Sequence, residues 1–211
     1  MHPAFLLISV LPVVFGRAST PTPCCIGDQF STSIDETGGQ VAPGTTGSKF
    51  IDQQIFLQFD YTNKRTYVEG TVTLPTGTYP YKVVNDYKAN VTYSFTNGVC
   101  YTVGAPSFPL QDPCQLSHAT YVGTSLMGSP GHHIAVNTFQ LDLGGISVKA
   151  VLSADGSCIP IMESLVGVIG GAPEQLTIFF SNFTKGLTKP EVFTFDQSTC
   201  GPAPTTAAPG S

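Results

Sequence analysis

The sequence predicts a mostly β protein whose antiparallel strands form a sandwich or a barrel. Three observations favour this fold class. Apolar residues alternate with polar ones, short turn sequences separate the apolar segments, and no segment shows the pattern of a helix of ordinary length. The alternation is typical of a sheet with one buried and one solvated face, and about eight to ten strands are expected.

The first four strands are predicted from apolar positions of one parity. These positions are Ile55, Leu57, Phe59 and Tyr61; Val68, Val72 and Leu74; Tyr79, Tyr81 and Val83; and Val91, Tyr93 and Phe95. Polar turns at 62–64 and 86–88 separate neighbouring strands. The fourth strand runs to Asn97-Gly98, a pair that favours a type I′ hairpin turn.

The second half of the chain is expected to add further strands. Segments 135–143 and 146–152 flank Gly144-Gly145, which predicts another tight hairpin. Asp155-Gly156 then precedes a strand that starts near Cys158, and the last strong strand covers 176–180.

Two segments do not fit the strand pattern. The first, 106–115, is rich in proline and is expected to be a long connection, followed by one helical turn between 115 and 121. The second, 185–192, contains Gly186 and Pro190 and is expected to be an irregular crossover.

The predicted domain organisation is a signal peptide at 1–18, one β domain at 19–200 and a disordered tail at 201–211. The segment 5–15 is almost wholly apolar and is followed by Gly16 and Ala18, as expected of a secretory signal. The tail contains only small residues and proline, so it offers nothing to pack. The mature protein is therefore expected to be secreted and extracellular.

Composition and motifs exclude several functions. Charged residues make up 11% of the chain and the net charge is −5, with no basic cluster, so nucleic acid is not an expected partner. The sequence contains no G-x-S-x-G elbow, no H-E-x-x-H helix and no phosphate-binding glycine loop. We therefore expect a protein that is not an enzyme and needs no organic cofactor.

Six cysteines follow the predicted signal. They are Cys24, Cys25, Cys100, Cys114, Cys158 and Cys200. In an oxidising compartment an even number of cysteines predicts three disulfides, and fifteen pairings remain open on this ground alone.

Two asparagines lie in N-x-[ST] sequons, Asn90-Val91-Thr92 and Asn182-Phe183-Thr184. Behind a signal peptide both predict N-glycosylation, which requires that both side chains be exposed. A calcium ion is a candidate cofactor, although the carboxylates are scattered and its ligands stay unknown. The histidines at 132 and 133 are expected to be exposed loop residues.

The chain resembles the ependymin-related family over nearly its whole mature length. The resemblance rests mainly on the closing segment 180–187 (FSNFTKGL), on 189–193 (KPEVF) and on the final Cys200. Earlier matches include Cys24-Cys25 followed by Gln29-Phe30, Phe59-Asp60-Tyr61 with Lys64-Arg65, Tyr121-Val122-Gly123 leading to Gly128-Ser129, and Cys158-Ile159-Pro160. Unlike many members of that family, this chain has no tryptophan, and it carries Phe30 and Phe139 instead.

The resemblance implies a secreted glycoprotein with two stacked antiparallel sheets, which curve into a half-barrel similar to bacterial lipoprotein carriers. It further implies that Cys100 pairs with Cys200, that Cys24 or Cys25 pairs with Cys158, and that Cys114 takes the remaining partner. A homodimer, an association with calcium and extracellular matrix, and a hydrophobic, lipid-like ligand are also implied.

Two functions remain as hypotheses. In the first, a pocket between curved sheets binds a hydrophobic small molecule or lipid, because a curved half-barrel encloses a concave apolar cavity. Its predicted lining is Leu57, Phe59, Val68, Val72, Tyr93, Phe95, Ile146 and Val148. In the second, the protein is a calcium-associated glycoprotein of the extracellular or shell matrix, active in cell–matrix adhesion without a specific ligand.

Overall fold

The computed structural model describes residues 20–41, 47–74, 77–169 and 171–203. This part of the chain forms twelve strands and three short 3₁₀ helices, which confirms the mostly β prediction. The strands are β1 (Gln29–Val41), β2 (Ser48–Asp60), β3 (Arg65–Leu74), β4 (Gly77–Asp86), β5 (Val91–Thr96), β6 (Val99–Gly104), β7 (Thr120–Ser129), β8 (His132–Asp142), β9 (Ser147–Ser153), β10 (Pro160–Ile169), β11 (Ala172–Lys185) and β12 (Gly201–Pro202). The 3₁₀ helices are Gln115–His118, Pro190–Phe193 and Gln197–Thr199.

The described strands form one curved, open sheet in the order β12-β6-β5-β4-β3-β2-β1-β11-β10-β9-β8-β7. Every neighbouring pair is antiparallel except β12 and β6, so the antiparallel prediction is confirmed. The structure differs from the expected two stacked sheets because β1 pairs with β2 on one side and with β11 on the other. This long strand joins the two halves into one sheet.

The predicted turns lie where the sequence places them. Asn97 and Gly98, which join β5 to β6, have φ angles of 51° and 78°. Gly144 and Gly145, between β8 and β9, have φ angles of 66° and 95°. Positive φ at both central residues is the requirement of a type I′ turn, which explains the choice of asparagine and glycine.

The irregular segments are also confirmed. A long connection follows β6 and ends in the 3₁₀ helix Gln115–His118, and a second irregular stretch follows β11. The predicted signal peptide at 1–18 lies outside the described residues, as does the tail beyond 203. Gly201 and Pro202 depart from the predicted tail, since they form β12 beside Tyr101 and Thr102 of β6.

The two faces of the sheet follow from residue parity and strand register. We call the inner face the one that carries Ile34 of β1, Leu57 of β2, Leu165 of β10 and Ile178 of β11. The outer face carries the residues of opposite parity on the same strands. Because successive side chains of a strand alternate between faces, this assignment extends through every paired strand.

The chain that follows β11 covers the outer face of β2 to β6. Two buried polar side chains hold it there. Ser31 donates to the Gly186 carbonyl at 3.1 Å, and Gln58 donates to the Lys189 carbonyl at 2.8 Å. Phe193 of this segment packs on Tyr67, Val84, Tyr93 and Cys100 of the sheet to form a core. One half of the sheet is therefore closed on its outer side.

Described residues cover the inner face at the opposite end of the sheet. There Leu116, from the 3₁₀ helix, packs on Phe139, Ala150 and Leu152, and Cys24 lies beside them. Three disulfides join the segments: Cys24–Cys158, Cys25–Cys114 and Cys100–Cys200, with Cα separations of 6.0, 4.2 and 4.6 Å. These bridges agree with the pairing that the family resemblance implies.

Candidate ligand-binding face

The inner face is the enclosed side of the sheet. On β10 and β11 the outer residues Val166, Val168 and Phe179 are 51%, 60% and 42% exposed. Their inner-face neighbours Leu165 and Ile178 are only partly exposed. A flat sheet without a covering layer would expose both faces alike, so the difference indicates that the sheet curves around the inner face.

Five of the eight predicted pocket residues belong to this face. Leu57 and Phe59 lie on β2, Val68 lies opposite Leu57 on β3, and Val148 lies opposite Leu165 on β10. Ile146 precedes β9 beside the inner-facing Gly167, where an added Cβ would lie 2.9 Å from the Ile146 Cα. Val72 belongs to β3, but its side chain lies outside the described part of the structure.

Tyr93 and Phe95, which the sequence places in the same predicted pocket, lie on the opposite, outer face of the sheet. Tyr93 pairs with Val84 on β4, which pairs with Tyr67 on β3, and all of these residues share the outer face. Tyr93 and Phe95 contact the ring of Phe195 edge-on, with centroids 5.1 Å apart in each case. Alternation along a strand separates its residues into two faces. It does not specify which face is buried, because that depends on the segment that packs on the sheet.

Residues between the two predicted groups complete the apolar surface, and they are absent from the predicted lining. Ile34 pairs with Ile55 on β2 and with Phe180 on β11, while Leu176 pairs with Leu165 on β10. Apart from Leu176, which is 7% exposed, these side chains are partly open to solvent. The inner face is therefore mostly apolar from β3 to β10.

An aromatic stack closes one end of this surface. Phe30 stacks on Phe59, with ring centroids 5.0 Å apart, and on Phe183 at 5.3 Å. Tyr61 continues the stack from Phe59 at 6.2 Å, and the Lys64 ammonium lies 3.1 Å from the centre of the Tyr61 ring. Aromatic pairs of this kind contribute about 0.5–1.5 kcal/mol each beyond the area that they bury.

A hydrogen-bonded group of polar side chains lies near the middle of the inner face. Gln53 donates to the Glu36 carboxylate at 3.1 Å and accepts from the Tyr81 hydroxyl at 3.4 Å. Burial raises the pKa of Glu36 more than the Gln53 hydrogen bond lowers it, and the negative charge of Glu174 raises it further. Desolvation and the charge of Glu36 likewise raise the pKa of Tyr81.

Glu163 of β10 is a carboxyl group of the inner face whose pKa is strongly raised. Desolvation raises its pKa to about 7, and no residue in the described ranges donates a hydrogen bond to it. Its side chain is nevertheless partly open to solvent, from the inner side of the sheet. The lone charge within the apolar segment 159–169 (IPIMESLVGVI) was the sequence signal that could have identified it.

Cavities bounded by described residues lie elsewhere. A cavity of about 660 Å³ is lined by residues such as His118, Gln140 and Asp142, and one of about 650 Å³ by residues such as Val41, Val166 and Thr177. A smaller one of about 230 Å³ is lined by Phe95 and by residues of the segment that covers the outer face. Phe95 is the one predicted pocket residue in the walls of these three.

Both sequon asparagines are exposed, as N-glycosylation requires. Asn90 has a φ of 56° in the turn before β5, and Asn182 has a φ of 52° within β11. Asparagine tolerates this left-handed conformation better than most residues. His132 and His133 are exposed as expected, but they begin β8 instead of lying in a loop.

Among the described residues no group of three or more histidine, cysteine, aspartate or glutamate side chains could hold a metal ion. No helix within the described ranges has the length and apolarity needed to cross a bilayer. The three disulfides indicate an oxidising environment, extracellular or periplasmic.

Comparisons with known proteins return similarity in structure only. No sequence-family model matches the chain, and no curated protein does. A conserved protein of unknown function from Thermus thermophilus has a TM-score of 0.46 and 9% identity, over 83% of this chain and 90% of its own. LprF from Mycobacterium bovis has a TM-score of 0.42 and 12% identity, over 78% of this chain and 90% of its own. A LolA superfamily protein from Nitrosomonas europaea has a TM-score of 0.39 and 9% identity, over 80% of this chain and 91% of its own.

Proposed function

We propose that this protein is a secreted glycoprotein that binds a hydrophobic, lipid-like ligand on the inner face of its sheet and catalyses no reaction. The observation that carries the proposal is the apolar inner face from β3 to β10, which no other segment of the described chain fills. The resemblance to ependymin-related proteins at the closing motif supports the same conclusion from the sequence.

The partial exposure of apolar side chains on the inner face favours a binding site over a packed core. Ile34, Leu57, Leu165 and Ile178 remain partly open to solvent, although they lie on the enclosed side of the sheet. A ligand that covers them gains about 25 cal/mol for each Å² of apolar surface removed from water. Sites for apolar ligands are mostly apolar and carry a small number of placed polar groups, and this face has both properties.

The rigidity of the surrounding structure favours a preformed site. The disulfides attach the N-terminal segment and the connection before β7 to the end of the sheet where Leu116 covers the inner face. The aromatic stack of Phe30, Phe59 and Phe183 fixes the other end. Because the walls are held in place, binding would require little ordering of the chain.

The test is ligand uptake by the delipidated protein. The secreted chain is extracted with organic solvent, refolded, and titrated with a fluorescent long-chain alcohol and a fluorescent zwitterionic phospholipid. We expect saturable binding with a stoichiometry of about one. Ile178→Thr should weaken it, whereas Phe179→Thr, the matched change on the outer face, should leave it unchanged. Absence of saturable uptake of either lipid would refute the proposal.

A further inference from the structure

Three polar side chains of the inner face, Gln53, Glu36 and Glu163, lie in one row across the middle of the sheet. Glu36 of β1 pairs with Ile178 of β11, which pairs in turn with Glu163 of β10. Neighbouring strands are about 4.8 Å apart, so the two glutamates lie about 10 Å from each other with one apolar side chain between them. A ligand that covers Ile178 would therefore reach both carboxyl groups.

Glu163 differs from Glu36 because no residue in the described part of the chain gives it a partner. Glu36 accepts a hydrogen bond from Gln53, whereas no described residue donates one to Glu163. On the same face the residues that pair with it are Ala150 and Ile178, neither of which has a side-chain donor. An ionised carboxylate that is largely surrounded by protein is costly unless it is paired. Because its side chain lies on the inner face and is partly open to solvent, a ligand on that face can approach it.

The charges around this carboxyl are unfavourable to anions. The inner face carries two further carboxylates, Glu36 on β1 and Glu174 on the neighbouring strand β11. Lys149 of β9 lies on the outer face. Lys49 has inner-face parity, but it lies at the exposed end of β2, four residues along the sheet from the row of Glu36. A carboxylate or phosphate on the ligand would therefore meet negative charge without a neighbouring cation.

We propose that the ligand of the inner face is a long-chain amine, whose alkyl chain covers the apolar surface and whose ammonium group donates to the Glu163 carboxylate. This inference rests on the proposed function and narrows it to one class of amphiphile. The protein discriminates against fatty acids and anionic lipids, because their head groups would lie between Glu36, Glu163 and Glu174.

The test compares three ligands with the same alkyl chain: dodecylamine, dodecanol and dodecanoate. Each is added below its micelle concentration to the delipidated, full-length protein at pH 8, and displacement of bound N-phenyl-1-naphthylamine is followed by fluorescence. The amine is fully charged at this pH. We expect it to bind at least about tenfold more tightly than dodecanoate, which corresponds to about 1.4 kcal/mol.

Two variants assign the preference to one carboxyl. Glu163→Gln keeps the size of the side chain and should reduce the ratio of amine to carboxylate affinity to about twofold. Asp35→Asn removes the same charge from the outer face one residue away from Glu36, and it should leave the ratio unchanged. In the unmodified protein the amine should also bind less tightly at pH 6 than at pH 8, as Glu163 takes up a proton, and the Gln variant should lose this dependence.

Each outcome decides the inference. Dodecanoate binding as tightly as dodecylamine would overturn it in the unmodified protein, whatever the stability of the variants. Displacement by dodecanol without any preference for the amine would overturn the inference while leaving the proposed function in place. Failure of all three compounds to displace the probe would overturn both.

Discussion

Replacement of Asp60 by asparagine should destabilise the protein severely. Its side chain is fully buried at the end of β2, where it accepts hydrogen bonds from Gln29 Nε2 at 2.8 Å, Asn63 Nδ2 at 2.9 Å and Arg65 Nε at 2.7 Å. The three donors belong to β1, to the turn after β2 and to β3. This carboxylate therefore joins three strands beside the stacked rings of Phe30 and Phe59.

The magnitude follows from the loss of a buried charge that has partners. Asparagine would turn one acceptor oxygen into a donor facing other donors, and it would leave the Arg65 guanidinium without its counter-ion. Breaking a buried pair by removing one partner costs about 3–5 kcal/mol. Since the Arg65 side chain is 30% exposed and can recover some hydration, we expect about 3 kcal/mol.

The assay is urea unfolding at pH 7, followed by far-ultraviolet circular dichroism because the chain has no tryptophan. Asp52→Asn is the matched control, since Asp52 is exposed on the same strand, and it should change the free energy of unfolding by less than about 0.5 kcal/mol. Equal stability of the two variants would refute the assignment of Asp60 as a structural anchor.

The same network makes a prediction about pH. Desolvation acts to raise the pKa of Asp60, but the hydrogen bonds from Gln29, Asn63 and Arg65 outweigh it and lower the pKa. A carboxyl with a lower pKa in the folded state stabilises the protein above its unfolded pKa and loses this contribution as the pH falls through the folded value. The stability difference between the native protein and the Asp60→Asn variant should therefore shrink below about pH 4.

Three further predictions concern other parts of the chain. Replacing Cys100 and Cys200 together by serine opens a loop of 100 residues and should lower the free energy of unfolding by about 4–5 kcal/mol in urea titrations; an unchanged midpoint would contradict this. Asn90→Gln and Asn182→Gln should each remove one of two steps in apparent mass on enzymatic deglycosylation, and a single unshifted band in the native protein would exclude occupancy. Glu163, whose pKa rises to about 7 on folding, binds more protons folded than unfolded, so stability should fall by about 2 kcal/mol between pH 5 and pH 8 relative to Glu163→Gln; parallel curves would count against its desolvation.

The sequence predicted most of the strands because their turns are locally encoded. Asn97-Gly98 and Gly144-Gly145 adopt the positive φ angles that their residue types favour. β1 was not predicted. Its segment QFSTSIDETGGQV places polar residues on both faces, since Glu36 and Thr32 share the inner face with Phe30 and Ile34. If β1 is not recognised as a strand, the sequence predicts two separate sheets instead of one.

The candidate site was predicted only in part for a related reason. Alternation along β5 correctly placed Tyr93 and Phe95 on an apolar face, but the segment that covers them begins some ninety residues later, after β11. The pairing of β1 with β11, which aligns Glu36, Ile178 and Glu163, is likewise a long-range property. No local pattern in the sequence specifies which faces of distant strands coincide.

Photo-crosslinking tests the central claim most directly, because it locates the ligand on one face of the sheet. Dodecanol bearing a terminal diazirine is bound to the delipidated protein, irradiated, and its adducts are mapped by peptide mass spectrometry. We predict adducts on inner-face residues such as Leu57, Leu165 and Ile178, and their loss when unlabelled dodecanol is added in excess. Adducts confined to Val166, Phe179 or the segment that covers the outer face would contradict the account.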